Sequence, residues 1–202
     1  MKSVTAALDA AYWRQRYATG RDGWDAGVPT PPLRAYFDQL DPAAQPRILV
    51  PGAGRAYEAE YLHRAGFGQV YVADFAPEAL GALAARVPDF PAAHLLLTDF
   101  FALSNDSPYD FIVEQTFFCA LNPALRPAYA RQCAALLRPG GTLVGLLFDT
   151  EFTSATEPPF GGTRGEYRAY FAPYFTFRHF ETAINSLRSR QERELFICLK
   201  KK

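Results

Sequence analysis

The 202-residue chain predicts a doubly wound α/β fold built on a mostly parallel, seven-stranded sheet. Three observations carry that expectation. From Arg47 to Phe148, short apolar runs alternate with stretches of helical composition, the pattern of crossovers in a parallel sheet. The first run, Arg47–Val50, ends in Pro51-Gly52-Ala53-Gly54, and Ala56 to Ala65 then reads as a helix with Tyr57, Tyr61, Leu62 and Ala65 on one face. Near the end, only about nine residues separate the strand-like runs Phe175–Ala183 and Arg193–Leu199. That is too short for a helical crossover, so this pair should form an antiparallel hairpin.

The remaining elements follow in order. Ala6–Ala18 is expected to be helical, with Leu8, Ala11 and Tyr12 on one side and Gly20 ending it. Gly20 to Pro32 is too rich in glycine and proline for regular structure, yet it holds Trp24. A tryptophan there must bury its ring, either as a packed anchor or as a lid over a ligand. Thr30 should cap a helix through Leu33, Tyr36, Phe37 and Leu40, with Pro31 in its first turn. Gln69–Ala73 is the second strand, ending in Asp74, and Pro77 opens a helix through Leu80, Leu83 and Val87 that Pro88 stops.

His94–Thr98 reads as the third strand and Asp110–Glu114 as the fourth, apolar throughout as a strand covered on both faces must be. A helix from Pro123 or Ala124 to Leu137 should be closed by Arg138-Pro139-Gly140-Gly141, and Thr142–Phe148 is the fifth strand. Pro158–Gly162 is a loop, either a connector or the border of a substrate pocket. Gly165–Ala172 is a short helix stopped by Pro173. One domain over 1–202 is expected, with 1–40 as an N-terminal helical cover and 47–202 as the α/β core.

Composition bounds the function. Hydrophobic residues make up 49% and charged residues 21%, with 21 basic and 21 acidic side chains. Zero formal charge without a basic stripe gives nucleic acid nothing to bind, so no nucleic-acid partner is expected. Cys119, Cys133 and Cys198 show neither metal-ligand nor paired spacing, which predicts no metal and a reducing compartment. No segment has the length and apolarity of a membrane span or a secretory leader, so a cytoplasmic protein with no membrane partner is expected. A monomer is anticipated, with a homodimer as the alternative.

The glycine turn lies where a doubly wound sheet binds its ligand, over the carboxyl ends of the strands. About twenty residues after Gly54, Asp74 is placed to accept both hydroxyls of a ribose. A dinucleotide fingerprint would carry a third glycine where this chain has Tyr57, whose bulk obstructs a pyrophosphate at the helix N-terminus. The pattern therefore suits a nucleoside without phosphates, S-adenosylmethionine foremost. A turn that binds nothing and, more distantly, a nicotinamide-binding oxidoreductase stay open. Asp99-Phe100 can bond an adenine amino group and cover its ring, or form a solvated turn with a core phenylalanine.

Four ordered pieces carry a resemblance: Trp24-Asp25-Ala26-Gly27 with Thr30-Pro31, then Val50-Pro51-Gly52-Ala53-Gly54, then Asp99-Phe100-Phe101, then Phe117-Phe118-Cys119-Ala120-Leu121 with Arg126-Pro127-Ala128. The chain resembles the thiopurine S-methyltransferase-like family of class I, Rossmann-like methyltransferases, nearest its halide/thiol branch. The resemblance implies S-adenosylmethionine as cofactor, with S-adenosylhomocysteine as product. It implies a cofactor site made of Trp13, Trp24, Pro51, Gly52, Ala53, Gly54, Asp74, Phe75, Asp99, Phe100, Glu114 and Gln115. Trp13 and Trp24 belong to the cover, and Glu114 faces the methyl-transfer site and positions the acceptor. Glu58 supports the turn. Phe148 stands where the halide-methylating branch often has a tyrosine.

Phe117, Phe118, Phe148 and Phe160 are the expected acceptor pocket, and the acceptor is a small molecule, a thiol or related sulfur compound or a halide. Such soft nucleophiles need alignment more than a base, and His63, His94 and His179 are too scattered to form one. The alternatives are an oxygen or nitrogen acceptor with Glu114 as base, and a protein that binds the cofactor without catalysis. Cys119 as a covalent nucleophile has no identifiable histidine partner.

Overall fold

The computed structural model describes residues 8–21, 23–152, 154 and 156–202. Its sheet has the order β3-β2-β1-β4-β5-β7-β6. Strands β1 (Ile48–Pro51), β2 (Val70–Asp74), β3 (Leu95–Leu97), β4 (Tyr109–Gln115) and β5 (Leu137–Phe148) pair in parallel. Strand β7 (Glu194–Lys201) inserts between β5 and β6 (Phe175–Thr182) and runs antiparallel to both. The terminal pair is antiparallel as expected. Only β7 runs against the rest of the sheet, because β7 reverses the direction twice and leaves β6 aligned with β5.

Alternation along each strand builds two apolar layers. Leu49, Ile112, Leu143 and Leu147 face one side, which α5 (Arg126–Leu136) and α6 (Arg164–Phe171) cover with Tyr129, Cys133, Tyr167 and Phe171. Ile48, Val50, Val113 and Val144 face the other, under α2 (Pro31–Phe37), α3 (Tyr57–Arg64) and α4 (Pro77–Arg86). Truncating a fully buried leucine such as Leu49 or Leu143 to alanine costs roughly 2–5 kcal/mol, because the layers cannot close over the cavity.

Helix α1 (Ala10–Ala18) starts at Asp9, whose side chain accepts the Tyr12 N–H; the expected start at Ala6 lies outside the described residues. Three local readings need correction. Thr30 precedes α2 but makes no side-chain cap; its hydroxyl donates instead to buried Glu58, 3.1 Å away. Helix α2 ends at Phe37 rather than Leu40. Pro139-Gly140-Gly141 does not cap α5: the chain turns extended at Leu137 and these residues lie within β5. Among the described residues, no helix is long and apolar enough to cross a membrane.

Candidate active site

The site grows from the end of β1. Gly52 and Gly54 adopt φ of +54° and +56°, a left-handed conformation that glycine enters without penalty. The Gly52 N–H donates to the Ala73 carbonyl at 2.8 Å, tying the turn to β2. Aromatic rings occupy the space both glycines leave. A Cβ on Gly52 would fall 2.1 Å from Phe117 Cδ2, and one on Gly54 would fall 3.2 Å from Trp24 Nε1.

Asp74 closes β2 beside this turn. Its Oδ1 accepts the Ala76 N–H at 2.8 Å. Burial pushes the carboxyl up to about 6, against the opposing pull of the backbone donors of Ala76, Gly54, Phe75 and Ala53. A carboxylate held this way, with lone pairs to spare, is suited to accept hydroxyl protons.

These parts open into a cavity of about 560 Å³, in the range of small-molecule sites. Asp74, Phe75, Thr98 and Phe100 line one end. The cover, Trp13, Arg16, Tyr17 and Trp24, lies over the glycines. Trp24 meets both Trp13 and Tyr17 edge to face at 5.5 Å, with the Arg16 guanidinium 5.6 Å from its ring. Polar contacts hold the cover down, among them the Arg14–Glu78 and Asp25–Arg55 ion pairs. Arg190 Nη2 donates to the Trp24 carbonyl at 2.9 Å, and Glu58 accepts the Thr30 N–H at 3.0 Å.

Thr116, Phe117, Cys119, Phe148, Phe152, Pro158, Pro159 and Arg193 wall the other end. The Cys119 thiol donates to the Thr116 carbonyl at 3.2 Å, and burial pushes it up to about 12, so it stays protonated and is a poor nucleophile. No histidine lines the cavity, and among the described residues no cluster of metal-ligating side chains occurs.

The cavity thus brings together Trp13, Trp24, Gly52, Gly54, Asp74, Phe75, Phe100, Phe117 and Phe148 from the sequence-predicted set. It does not bring in the others. Pro51, Ala53 and Gln115 do not line the cavity. Asp99 turns its carboxyl back to the Phe101 N–H at 2.9 Å, and Thr98 takes the lining position. Phe118 and Phe160 are buried outside the cavity, Phe118 between Tyr129 and Tyr167.

Glu114 is the main correction. It is fully buried and does not line the cavity. One carboxylate oxygen accepts the N–H groups of Phe117 and Phe118, both at 2.9 Å, and the other accepts the Tyr129 hydroxyl. Burial raises its carboxyl to about 7 despite these donors. It therefore shapes the turn that presents Phe117 from below and has no atom free for an acceptor.

Residues 8–200 match the family described as thiopurine S-methyltransferase. The chain belongs to that family. This methyltransferase is 30% identical over 166 residues to a probable thiol methyltransferase 2 of Arabidopsis thaliana, covering 80% of this chain and 71% of that protein. It is 26% identical over 177 residues to a thiopurine S-methyltransferase of Vibrio cholerae serotype O1, covering 81% of each. A 1,6-didemethyltoxoflavin-N1-methyltransferase of Burkholderia thailandensis, solved with S-adenosylhomocysteine, shares the fold with a TM-score of 0.76 at 19% identity, over 100% of this chain and 93% of that one.

The cofactor of this methyltransferase is S-adenosylmethionine, and the site fits it: two glycines where a Cβ would collide, a carboxylate at the end of β2, and an aromatic cover over a cationic sulfur. Sequence reasoning missed Arg16, Tyr17, Arg190 and Arg193. Arg16 and Tyr17 were within reach, because they share a helix face with Trp13 at i+3 and i+4. Arg190 and Arg193 come from the β6–β7 connection and reach the cavity only through the pairing of Phe148 with Glu194.

Proposed function

We propose that this methyltransferase methylates a small, soft sulfur nucleophile, a thiol in the first place. The observation that carries the reading is the absence of an available base at the acceptor end, among the described residues. Glu114 is fully engaged beneath the cavity, Cys119 is held protonated, and the walls are phenylalanine and proline. An oxygen or nitrogen acceptor needs a positioned base worth about 10²–10⁴ in rate. A thiol with a pKa near 8.5 is already a few per cent thiolate at neutral pH and needs mainly to be held in line. The relatives named for thiol and thiopurine methylation support the same class.

In this reading the chain's residues bind, orient and exclude water. Gly52 and Gly54 cradle the methionine portion of the cofactor, Asp74 takes the ribose hydroxyls, and Phe75 and Phe100 border the adenine. Arg16 offers its guanidinium to the cofactor carboxylate. Trp13, Tyr17 and Trp24 close the site from above, while Phe117, Phe148 and Phe152 line the path of the acceptor. Bound there, S-adenosylmethionine supplies an electrophilic methyl group. Alignment of this kind contributes on the order of 7–11 kcal/mol. The acceptor's thiol proton passes to solvent.

A formal charge of zero supports a small acceptor over nucleic acid, and three free buried cysteines support a reducing compartment such as the cytoplasm. The test is S-adenosylhomocysteine release from purified protein with thiols, iodide and small phenols in parallel. Turnover with thiols is expected; turnover confined to phenols or amines would overturn the sulfur reading.

A further inference from the structure

The geometry points to Arg193 as a specificity-determining residue that selects acceptors bearing a fixed negative charge, a carboxylate or similar oxyanion beyond the reacting sulfur. The inference rests on the sulfur-acceptor reading above and narrows its substrate class.

Among the described residues, four charged side chains line the cavity: Arg16, Asp74, Arg190 and Arg193. Three are accounted for. Asp74 stands at the β2 end, opposite the acceptor walls. Arg190 pairs with buried Glu194 at 3.3 Å and holds the Trp24 carbonyl. Arg16 donates to the Arg21 carbonyl and the Tyr12 hydroxyl beneath the cover.

Arg193 has no such partner. Its guanidinium lies 5.1 Å from the Phe152 ring centroid, and Phe152 meets Phe148 edge to face at 5.0 Å. Among the described residues it forms no salt bridge. Its cross-strand neighbour Asp149 is taken by Arg164, which reaches it at 3.3 Å, and its chain neighbour Glu194 by Arg190. What ties Arg193 to Asp149 is only backbone, the Asp149 N–H donating to the Arg193 carbonyl at 2.8 Å. The acceptor end therefore presents a cation with no counter-charge, in a cavity whose cofactor brings a positive sulfonium. Like charges in a partly desolvated space repel, so a neutral acceptor leaves the site electrostatically unbalanced. An acceptor carrying a carboxylate balances it, and a guanidinium binds that group with two parallel donors.

Position also separates this anion from the nucleophile. Strand β5 ends at Phe148, beside Glu194 at the start of β7, so Arg193 sits at least one strand spacing, about 4.8 Å, beyond the ends of β4 and β5 that bring Phe117 and Phe148 to the cavity. A two- or three-carbon thiol acid spans that distance.

The test compares mercaptoacetate with mercaptoacetamide, which differ in one charge. For each, kcat/KM is measured with wild type, Arg193→Gln and Arg193→Lys. Taking each wild-type-to-variant ratio separately cancels the difference in thiol acidity between the two acceptors. Arg193→Gln should lower kcat/KM for mercaptoacetate about ten- to a hundredfold more than for mercaptoacetamide, the loss of one charge-assisted contact. Arg193→Lys should recover much of that difference. Equal losses for both acceptors, or none, overturn the assignment.

Calorimetry of the unreactive thioether (methylthio)acetate and its amide, on protein loaded with S-adenosylhomocysteine, gives a readout without turnover. Tighter binding of the carboxylate, lost in Arg193→Gln, is expected; no preference, or no binding of either, overturns the inference. If wild type methylates no thiol, the sulfur reading falls, and the binding comparison still decides on Arg193.

Discussion

The ring of Phe117 lies directly across Gly52, so that a Cβ at the glycine would sit 2.1 Å from Cδ2 and 2.3 Å from Cγ of the phenylalanine. The contact joins the end of β1 to the turn after β4 within the wall of the cavity. Gly52→Ala should therefore act twice. The alanine is strained at φ +54°, by about 1 kcal/mol, and its methyl must push Phe117 into the cavity. Cofactor affinity measured by calorimetry should fall at least tenfold while the melting temperature drops only a few degrees. Unchanged affinity would mean that Phe117 moves aside freely and that the contact sets nothing.

Glu114 separates a structural role from a catalytic one. Glu114→Gln keeps an acceptor for the Phe117 and Phe118 N–H groups, so thiol methylation should stay within roughly tenfold of wild type, short of the loss of a general base. Glu114→Ala orphans two backbone donors and the Tyr129 hydroxyl, at about 1–3 kcal/mol each, and should be severely destabilised.

The same residue imprints a pH dependence on stability. Its carboxyl is raised from 4.5 to about 7, so between these values the folded chain binds more protons than the unfolded one. Stability contributed by this group is full below pH 4.5 and falls as pH rises to 7, by on the order of 3 kcal/mol. Denaturant unfolding of wild type against Glu114→Gln at pH 5 and pH 7.5 should show a steeper decline in wild type than in the variant, which keeps the smaller decline due to Asp74. Parallel curves would contradict the buried, protonatable carboxyl.

Asp74 should couple cofactor binding to pH. Its carboxyl sits at about 6, and only the ionised form accepts two ribose hydroxyls. Below pH 6 the proton must leave before binding, so the dissociation constant for S-adenosylhomocysteine should rise towards tenfold per unit. The Asp74→Asn variant should bind weakly with a flat profile. A flat profile in wild type would remove Asp74 from the ribose.

Arg190 joins the cover to the far edge of the sheet through the Trp24 carbonyl. Arg190→Ala breaks a charged hydrogen bond worth roughly 1.5–3 kcal/mol to the closed arrangement. Trypsin should then cut after Arg16 and Arg21 faster than in wild type, with S-adenosylhomocysteine restoring protection. Identical cleavage in both proteins would show that the Arg190 contact does not hold the cover.

Much of this protein was legible from the chain itself. The strand runs, the Gly52-Ala53-Gly54 turn, Asp74 and the antiparallel end follow from periodicity and chain-breaking residues, which act over a few positions and so are written locally. The seven strands belong to this class, whereas the cover at Trp13 and Trp24 is implied by the family resemblance, the residues themselves leaving Trp24 as either a packed anchor or a lid. Tertiary structure alone decided which way Glu114 points. It shares its strand face with Ile112, and that face is the one α5 covers, so its carboxyl goes to Tyr129 and not to the cavity. Tertiary structure also decided that β7 enters between β5 and β6, which carries Arg190 and Arg193 across the chain to Phe148. Strand order and face assignment depend on how distant apolar surfaces are shared out between layers, a global balance of burial that no short stretch of sequence encodes.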